Sequence, residues 1–193
     1  MASKYELRAT VRGMRRMRGQ TATAALADSL AEQLRGLTRK FDARVVACFA
    51  STTLEPPTAA FLSWARDHDV QVLLPRASSK TTLEWCVDTG ELAEHPRLRV
   101  PEPVGPALAS GLDTAELLLL PAAAADRSGT RLGWGGGYYD RALAVLEPEQ
   151  RARIIAVVHD DEVLERLPRE PHDVRIAGIV TPSVYLETPA NAN

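Results

Sequence analysis

Cysteine is scarce. Two occur in 193 residues, Cys48 and Cys86, both in apolar surroundings and without C-x-x-C spacing. That excludes a disulfide-stapled scaffold and a dithiol redox motif, and it predicts two buried free thiols in a reducing cytoplasm. No apolar run approaches the roughly 18 residues of a membrane span. The opening residues, M-A-S-K-Y-E-L-R, lack the apolar segment of a signal peptide. An excess of one charge sign is missing too, since 23 basic against 25 acidic residues leave a net charge of −2. No global pull toward nucleic acid or membrane follows, so any anion site must be local. No internal repeat is present. What remains is a single expected domain over 1–193, with Glu187 to Asn193 as a frayed tail. A chain of this length buries on the order of 70% of its unfolded surface.

What the chain does have is a stretch from Gly129 to Arg141 reading G-T-R-L-G-W-G-G-G-Y-Y-D-R, with Gly133, Gly135, Gly136 and Gly137 inside five positions. Glycine loses the most backbone freedom on folding, so such a cluster implies positive φ or close approach to another group. Successive N–H groups in such a loop can form a nest for an anion, and a helix starting near Gly137 would add its free N–H groups. The stretch lacks the G-K-[ST] of a P-loop and fails G-x-G-x-x-G. Composition alone leaves two readings open, a phosphate nest and a surface hairpin.

Taken in order, Ser3 to Glu6 reads as a capping box that opens a helix from Lys4 to Arg18, ending at Gly19. Lys4, Arg8 and Arg12 share one helix face, and Arg15 and Arg16 continue the row. This row reads as a solvated face, an anion clamp or a nucleic-acid surface, the last weakened by the lack of interleaved aromatics. A second helix is predicted over 21–37, with Leu26, Leu30, Leu34 and Leu37 as its apolar stripe. Strands are predicted over 44–50, 70–74, 83–87, 116–121, 154–158 and 176–181, and helices over 58–67 and 138–146. Residues 101–103 read as an extended link, and A-A-A-A-D-R-S-G at 122–129, which leads into the glycine-rich stretch, carries no assigned element. The pattern is α/β with a mostly parallel sheet. In such sheets ligands bind outside the carboxyl ends of the strands. Glu55, Asp126 with the glycine-rich stretch, Asp160-Asp161 and His172-Asp173 all follow strands, which predicts one shared site.

The run R-L-G-W-G-G-G-Y-Y-D-R resembles the signature of the 5-formyltetrahydrofolate cyclo-ligase family. Lys4-x-x-Leu7-Arg8, Glu55-Pro56-Pro57-Thr58, Pro101-Glu102-Pro103, Asp126-x-x-Gly129-x-Arg131 and His172-Asp173 with a strand ending at Thr181 resemble its other elements in the same order. The resemblance spans nearly the whole chain. It implies a three-layer α/β/α sandwich with a central, mainly parallel sheet. It also implies conversion of 5-formyltetrahydrofolate and ATP to 5,10-methenyltetrahydrofolate, ADP and phosphate, with Mg2+, in a cytoplasmic monomer that binds neither nucleic acid nor membrane.

Residue by residue, the resemblance implies that Lys4 and Arg131 act in catalysis. ATP falls to Lys4, Arg8, Arg131, Leu132, Gly133, Trp134, Gly135, Gly136, Gly137, Tyr138 and Tyr139. The folate falls to Arg8, Arg12, Glu55, Trp134 and Tyr138, and the metal to Asp140 and Asp173. Local chemistry offers other uses. Asp140 suits a helix first turn, His172-Asp173 a turn, Glu55 a solvated loop, and Tyr139 the core. Two positions depart from the family pattern: Ala125 stands where an aromatic is common, and Asp161 near where a glutamine is common. The competing reading is a nucleotide- or folate-binding relative without catalysis, acting in regulation or on RNA. A sugar-phosphate isomerase or CoA transferase would need a nucleophile or base that the sequence does not offer.

Overall fold

The computed structural model describes residues 2–78, 82–170 and 173–189. Its first helix, α1 (Lys4–Ala24), starts where predicted. Ser3 caps it and Glu6 returns the bond, with Ser3 N donating to Glu6 Oε2 at 2.8 Å. The helix passes Gly13 unbroken and turns at Gly19, whose φ of 74° lies in the left-handed region. Helix α2 (Ala27–Lys40) then buries Leu30, Leu34 and Leu37. The predicted single helix over 21–37 is thus divided at Ala25-Leu26.

Strand β1 (Val45–Ala47) is shorter than predicted, and α3 (Ala59–Asp67) follows it. Strand β2 (Gln71–Ala77) runs on through Pro75 instead of stopping there. Its partner β3 (Leu83–Val87) is an antiparallel edge strand, with Pro75 opposite Trp85. Strands β4 (Leu92–Glu94) and β5 (Pro101–Pro103) form a small antiparallel pair. Next come β6 (Leu117–Pro121), β7 (Ala124–Asp126) and β8 (Arg131–Leu132), then α4 (Tyr138–Ala144) and α5 (Pro148–Arg151). Strand β9 (Ile154–Val157) leads through a 3-10 turn, Asp160–Glu162, to β10 (Val163–Leu164). Strands β11 (Gly178–Val180) and β12 (Tyr185–Glu187) close the described chain as an antiparallel pair.

The main sheet has the order β12-β11-β9-β6-β1-β2-β3. Its five central strands are parallel and both edges antiparallel. Burial on both faces explains why the central strands read as continuous apolar runs. Leu117 and Leu119 pack with α2 and α3 on one face, while Leu118 and Leu120 pack with Leu143 of α4 on the other. This is the expected three-layer arrangement. Each fully buried leucine contributes on the order of 1.5–3 kcal/mol over exposure, so the sheet centre carries most of the fold. Among the described residues no helix is long and apolar enough to cross a membrane. Both cysteines are free and buried, and burial pushes the Cys48 thiol up to about 12.

Two segments differ from what the sequence conveys. The alanine-rich segment, to which the sequence assigns no element, forms β7, which pairs with β8 and β10 in a second, three-stranded sheet. Alanine carries little strand propensity; here Ala123 and Ala124 pack with Leu7 and Val11, so their small size lets α1 lie close. The tail is ordered further than predicted. Glu187 belongs to β12, and Thr188 is buried, its hydroxyl donating to Ile176 O at 2.5 Å. Residues 190–193 lie outside the described chain.

Candidate active site

The chain leaves β1 toward β2 on one side, and leaves β6 toward β9 on the other. The crevice beyond the carboxyl ends of β1 and β6 is therefore the topological switch point, where open α/β sheets bind ligands. A cleft of about 600 Å³ lies there. Phe49 and Ala50, just after β1, and Pro121, the end of β6, form part of its wall. The glycine-rich loop covers one side and α1 supplies Arg12, Arg15 and Arg16.

The loop keeps its shape through two backbone positions and three arginines. Gly135 and Gly137 have φ of 94° and 66°, which L side chains rarely adopt. Arg8 Nε donates to Gly133 O at 2.7 Å, and Arg141 Nη2 to Gly136 O at 2.8 Å. Arg131 lies beneath the loop with its side chain only 2% exposed. Its Nη2 pairs with Asp140 Oδ1 at 2.6 Å, its Nη1 reaches Pro121 O at 3.3 Å, and its buried Nε has no partner. Trp134 lies against two cations, 4.9 Å from Arg15 and 5.8 Å from Arg12, and its buried indole N–H is unpaired. Such unsatisfied buried donors cost free energy that a ligand acceptor would recover.

Most of the residues singled out from the sequence meet here. Arg12, Glu55, Arg131, Asp140 and the run Gly133 to Tyr139 all line the cleft, and Arg8 touches the loop. One oxygen of Glu55 is occupied by Thr52, whose N–H and hydroxyl both donate at 2.9 Å. Leu132 differs from its neighbours. Its side chain is buried among Val11, Ala123, Ala124 and Leu167, so only its backbone can face a ligand. Tyr139 packs edge-on against Trp85, and burial raises its phenol, with Glu55 adding to the shift.

Lys4 and Asp173 meet each other and are absent from the cleft wall. Lys4 Nζ donates to Asp173 Oδ2 and Glu170 Oε2, each at 2.7 Å. Burial works against the Lys4 charge, but these hydrogen bonds outweigh it and raise its pKa. His172 lies outside the described residues.

The expectation of one shared site for every post-strand acid is overturned. Asp126 is fully buried and holds a turn, with Oδ1 accepting from Ser128 and Thr130 and Oδ2 from Leu167 N. Asp160 bonds Thr181 and Ser183, and Asp161 pairs with Arg18. Local hydrogen-bonding demand claimed these carboxylates before any ligand could. Asp161 therefore adds no charge to the cleft wall, and Ala125 is sealed in the core beside Leu120 and Leu143.

The solvated-face reading of α1 holds for Arg12 and Arg16, which are exposed, and fails for Arg15, buried and bound to Glu162, and for Arg8, held by the loop. Arg15 and Arg16 belong to the basic row of the sequence, where neither carries an assigned role, and Glu162 is not among the residues that the sequence singles out. The available signal was Arg15 continuing the face of Lys4 and Arg8, and a third consecutive acid, Glu162, following a buried strand.

Among the described residues no group of three or more His, Cys, Asp or Glu could hold an ion. Asp140 and Asp173 offer only oxygen donors. That suits Mg2+, which binds through one or two carboxylates and completes its shell with water and substrate phosphates.

Similarity to known proteins agrees with this geometry. A sequence model of the 5-formyltetrahydrofolate cyclo-ligase family matches residues 1–182. The chain is 35% identical over 186 residues to a 5-formyltetrahydrofolate cyclo-ligase of Mycolicibacterium smegmatis, covering 93% of this chain and 94% of that one. A cyclo-ligase of Escherichia coli is 37% identical over 76 residues, 39% of this chain and 41% of its own. In fold the chain is similar to 5,10-methenyltetrahydrofolate synthetase of Aquifex aeolicus, with TM-score 0.77, 22% identity and coverage of 98% and 95%.

Proposed function

The chain belongs to the 5-formyltetrahydrofolate cyclo-ligase family, an enzyme family, and from that premise we propose that it converts 5-formyltetrahydrofolate and ATP to 5,10-methenyltetrahydrofolate, ADP and phosphate. The observation that carries the reading is the switch-point cleft, closed on one side by a glycine loop and on another by the basic face of α1. A formyl amide is a poor electrophile, and its oxygen is a poor leaving group. Its oxygen attacks the γ-phosphorus, ADP departs, and N10 of the same folate attacks the activated formyl carbon. N10 gives up its proton to solvent or to the departing phosphate, the C–O bond breaks and phosphate leaves. Ring closure is intramolecular, so a fixed pose of N5 against N10 supplies much of the rate.

The residues divide accordingly. Loop N–H groups from Gly133 to Gly137 cradle phosphates, and Arg131, anchored by Asp140, neutralises developing charge. Lys4 and Arg8 reach the phosphates from α1. The free oxygen of Glu55 accepts N–H groups of the pterin, while Arg8, Arg12, Trp134 and Tyr138 contact the folate. Asp140 and Asp173 would hold Mg2+, which supplies charge neutralisation of the phosphates when bound. The enzyme works in the cytoplasm as a monomer.

The test is an absorbance assay of the purified protein with 5-formyltetrahydrofolate and MgATP. The methenyl band should grow only with both nucleotide and magnesium. Arg131→Ala and Asp140→Ala should each lower the rate by about two to three orders of magnitude while the protein stays folded. A flat trace from folded wild-type protein that still binds ATP would refute the reaction, and near-normal turnover in Asp140→Ala would remove its metal role.

A further inference from the structure

Arg15 lines the cleft and takes no part in the scheme above. Its side chain is 3% exposed, and that of its partner Glu162 is fully buried. Nε donates to Glu162 Oε1 at 2.7 Å, and Nη2 donates at 2.8 Å both to Glu162 Oε2 and to Ala122 O. Glu162 Oε2 also accepts from His159 N at 2.9 Å. A guanidinium has five N–H donors. Three are satisfied, and the two on Nη1 have no acceptor among the described residues.

The pairing decides what Nη1 suits. A bidentate arginine–carboxylate pair, buried on both sides, has no net charge and attracts phosphate or carboxylate only weakly. Arg15 Nη1 is not among the buried atoms that lack a partner, so it keeps contact with water in the cleft, and a neutral acceptor can take the place of that water. The other two α1 arginines at the cleft, Arg12 and Arg16, are exposed and have no ion pair among the described residues. They are the ones suited to anions. Trp134 lies 4.9 Å from the Arg15 guanidinium, so a flat ring system in contact with the indole would bring its carbonyl edge near Nη1.

We propose that Arg15 is a substrate-binding residue, whose Nη1 donates to an amide-type carbonyl oxygen of the folate, and that Glu162 is a positioning residue that orients Arg15 and cancels its charge. This rests on the cyclo-ligase reading, which puts the folate in this cleft.

The test uses two variants. R15M/E162L removes donor and counter-charge together and strands no buried ion, a replacement that is often neutral for stability. It leaves His159 N and Ala122 O without these partners, so it should melt below wild type while still unfolding in one cooperative transition. Titration calorimetry without the other substrate should show 5-formyltetrahydrofolate binding weakened about tenfold and MgATP binding unchanged within about twofold. Glu162→Gln keeps the shape and frees the charge. Its folate affinity should fall more steeply with salt than that of wild type, a readout that a purely structural pair would not move.

A folded double variant that binds the folate as tightly as wild type overturns the proposal. So does one that loses both substrates alike, or a Glu162→Gln variant with wild-type salt dependence. A wild-type protein that binds folate yet makes no product refutes the reaction alone, and the ratio of dissociation constants still decides for or against Arg15. A wild-type protein that binds no folate refutes both.

Discussion

Of the ion pairs that tie α1 to the later part of the chain, two are built for different ends. Arg15–Glu162 is bidentate and sealed, with side-chain exposures of 3% and 0%. Lys4–Asp173 lies at the helix start, at 20% and 12%, with the exposed Glu170 sharing the lysine. A sealed pair gives little net stability against an apolar replacement, yet breaking one side strands a buried charge. A pair that keeps some contact with solvent exchanges partners more cheaply than a sealed one, because water and ions can stand in for either member. The first pair therefore fixes where α1 sits. The second joins the proposed phosphate-binding lysine to a proposed metal ligand and can open to both.

The largest effect should come from cutting the sealed pair on one side. Glu162→Ala leaves Arg15 buried and unpaired and should lower stability by about 3–5 kcal/mol in urea unfolding. A loss under about 1 kcal/mol would erase the distinction between the pairs. Next is Lys4→Ala, which should cost at most about 1 kcal/mol in the same measurement. Its KM for MgATP should nonetheless rise severalfold, and a large stability loss with unchanged KM would reverse the assignment.

The smallest effect lies in pH. Burial holds His159 neutral and lowers its pKa, with Arg18 and Arg15 acting in the same direction and Glu162 and the Leu54 carbonyl opposing. The unfolded chain then takes up the proton first. Stability is full above the usual histidine value near 6.5 and falls below it, by at most about 1.4 kcal/mol per pH unit. The Lys4 pKa is raised, so its pair has the opposite sign: its contribution is complete below the ordinary lysine value near 10.4 and is lost as pH rises through the folded value. The buried cluster should thus weaken in acid and the rim pair in alkali. Urea midpoints across the pH range would check this, with His159→Gln flattening the acid limb and Lys4→Ala the alkaline one.

The difference between the pairs also marks what could be read in advance. The basic row of α1 was visible as a spacing, but spacing does not reveal depth. Lys4 and Arg15 sit in one row, and only the approach of β7 and the 3-10 turn buries the second. Similarly, Asp126 and Asp140 are both acids after strands. One is consumed by its own turn and the other faces the cleft.

By itself the sequence determined the elements whose signals are local or periodic. These are the Ser3–Glu6 cap, the break at Gly19, the doubly buried central strands and the glycine loop, because each follows from backbone freedom or apolar spacing within a few residues. Tertiary structure alone decided that an alanine run becomes a strand, that the post-strand acids do not share one site, and that Arg15 joins Glu162 across 147 positions. Those outcomes depend on which groups other elements bring within hydrogen-bonding distance. A buried polar group accepts the nearest satisfactory partner, and that partner is set by the packing of the layers rather than by its neighbours in the chain.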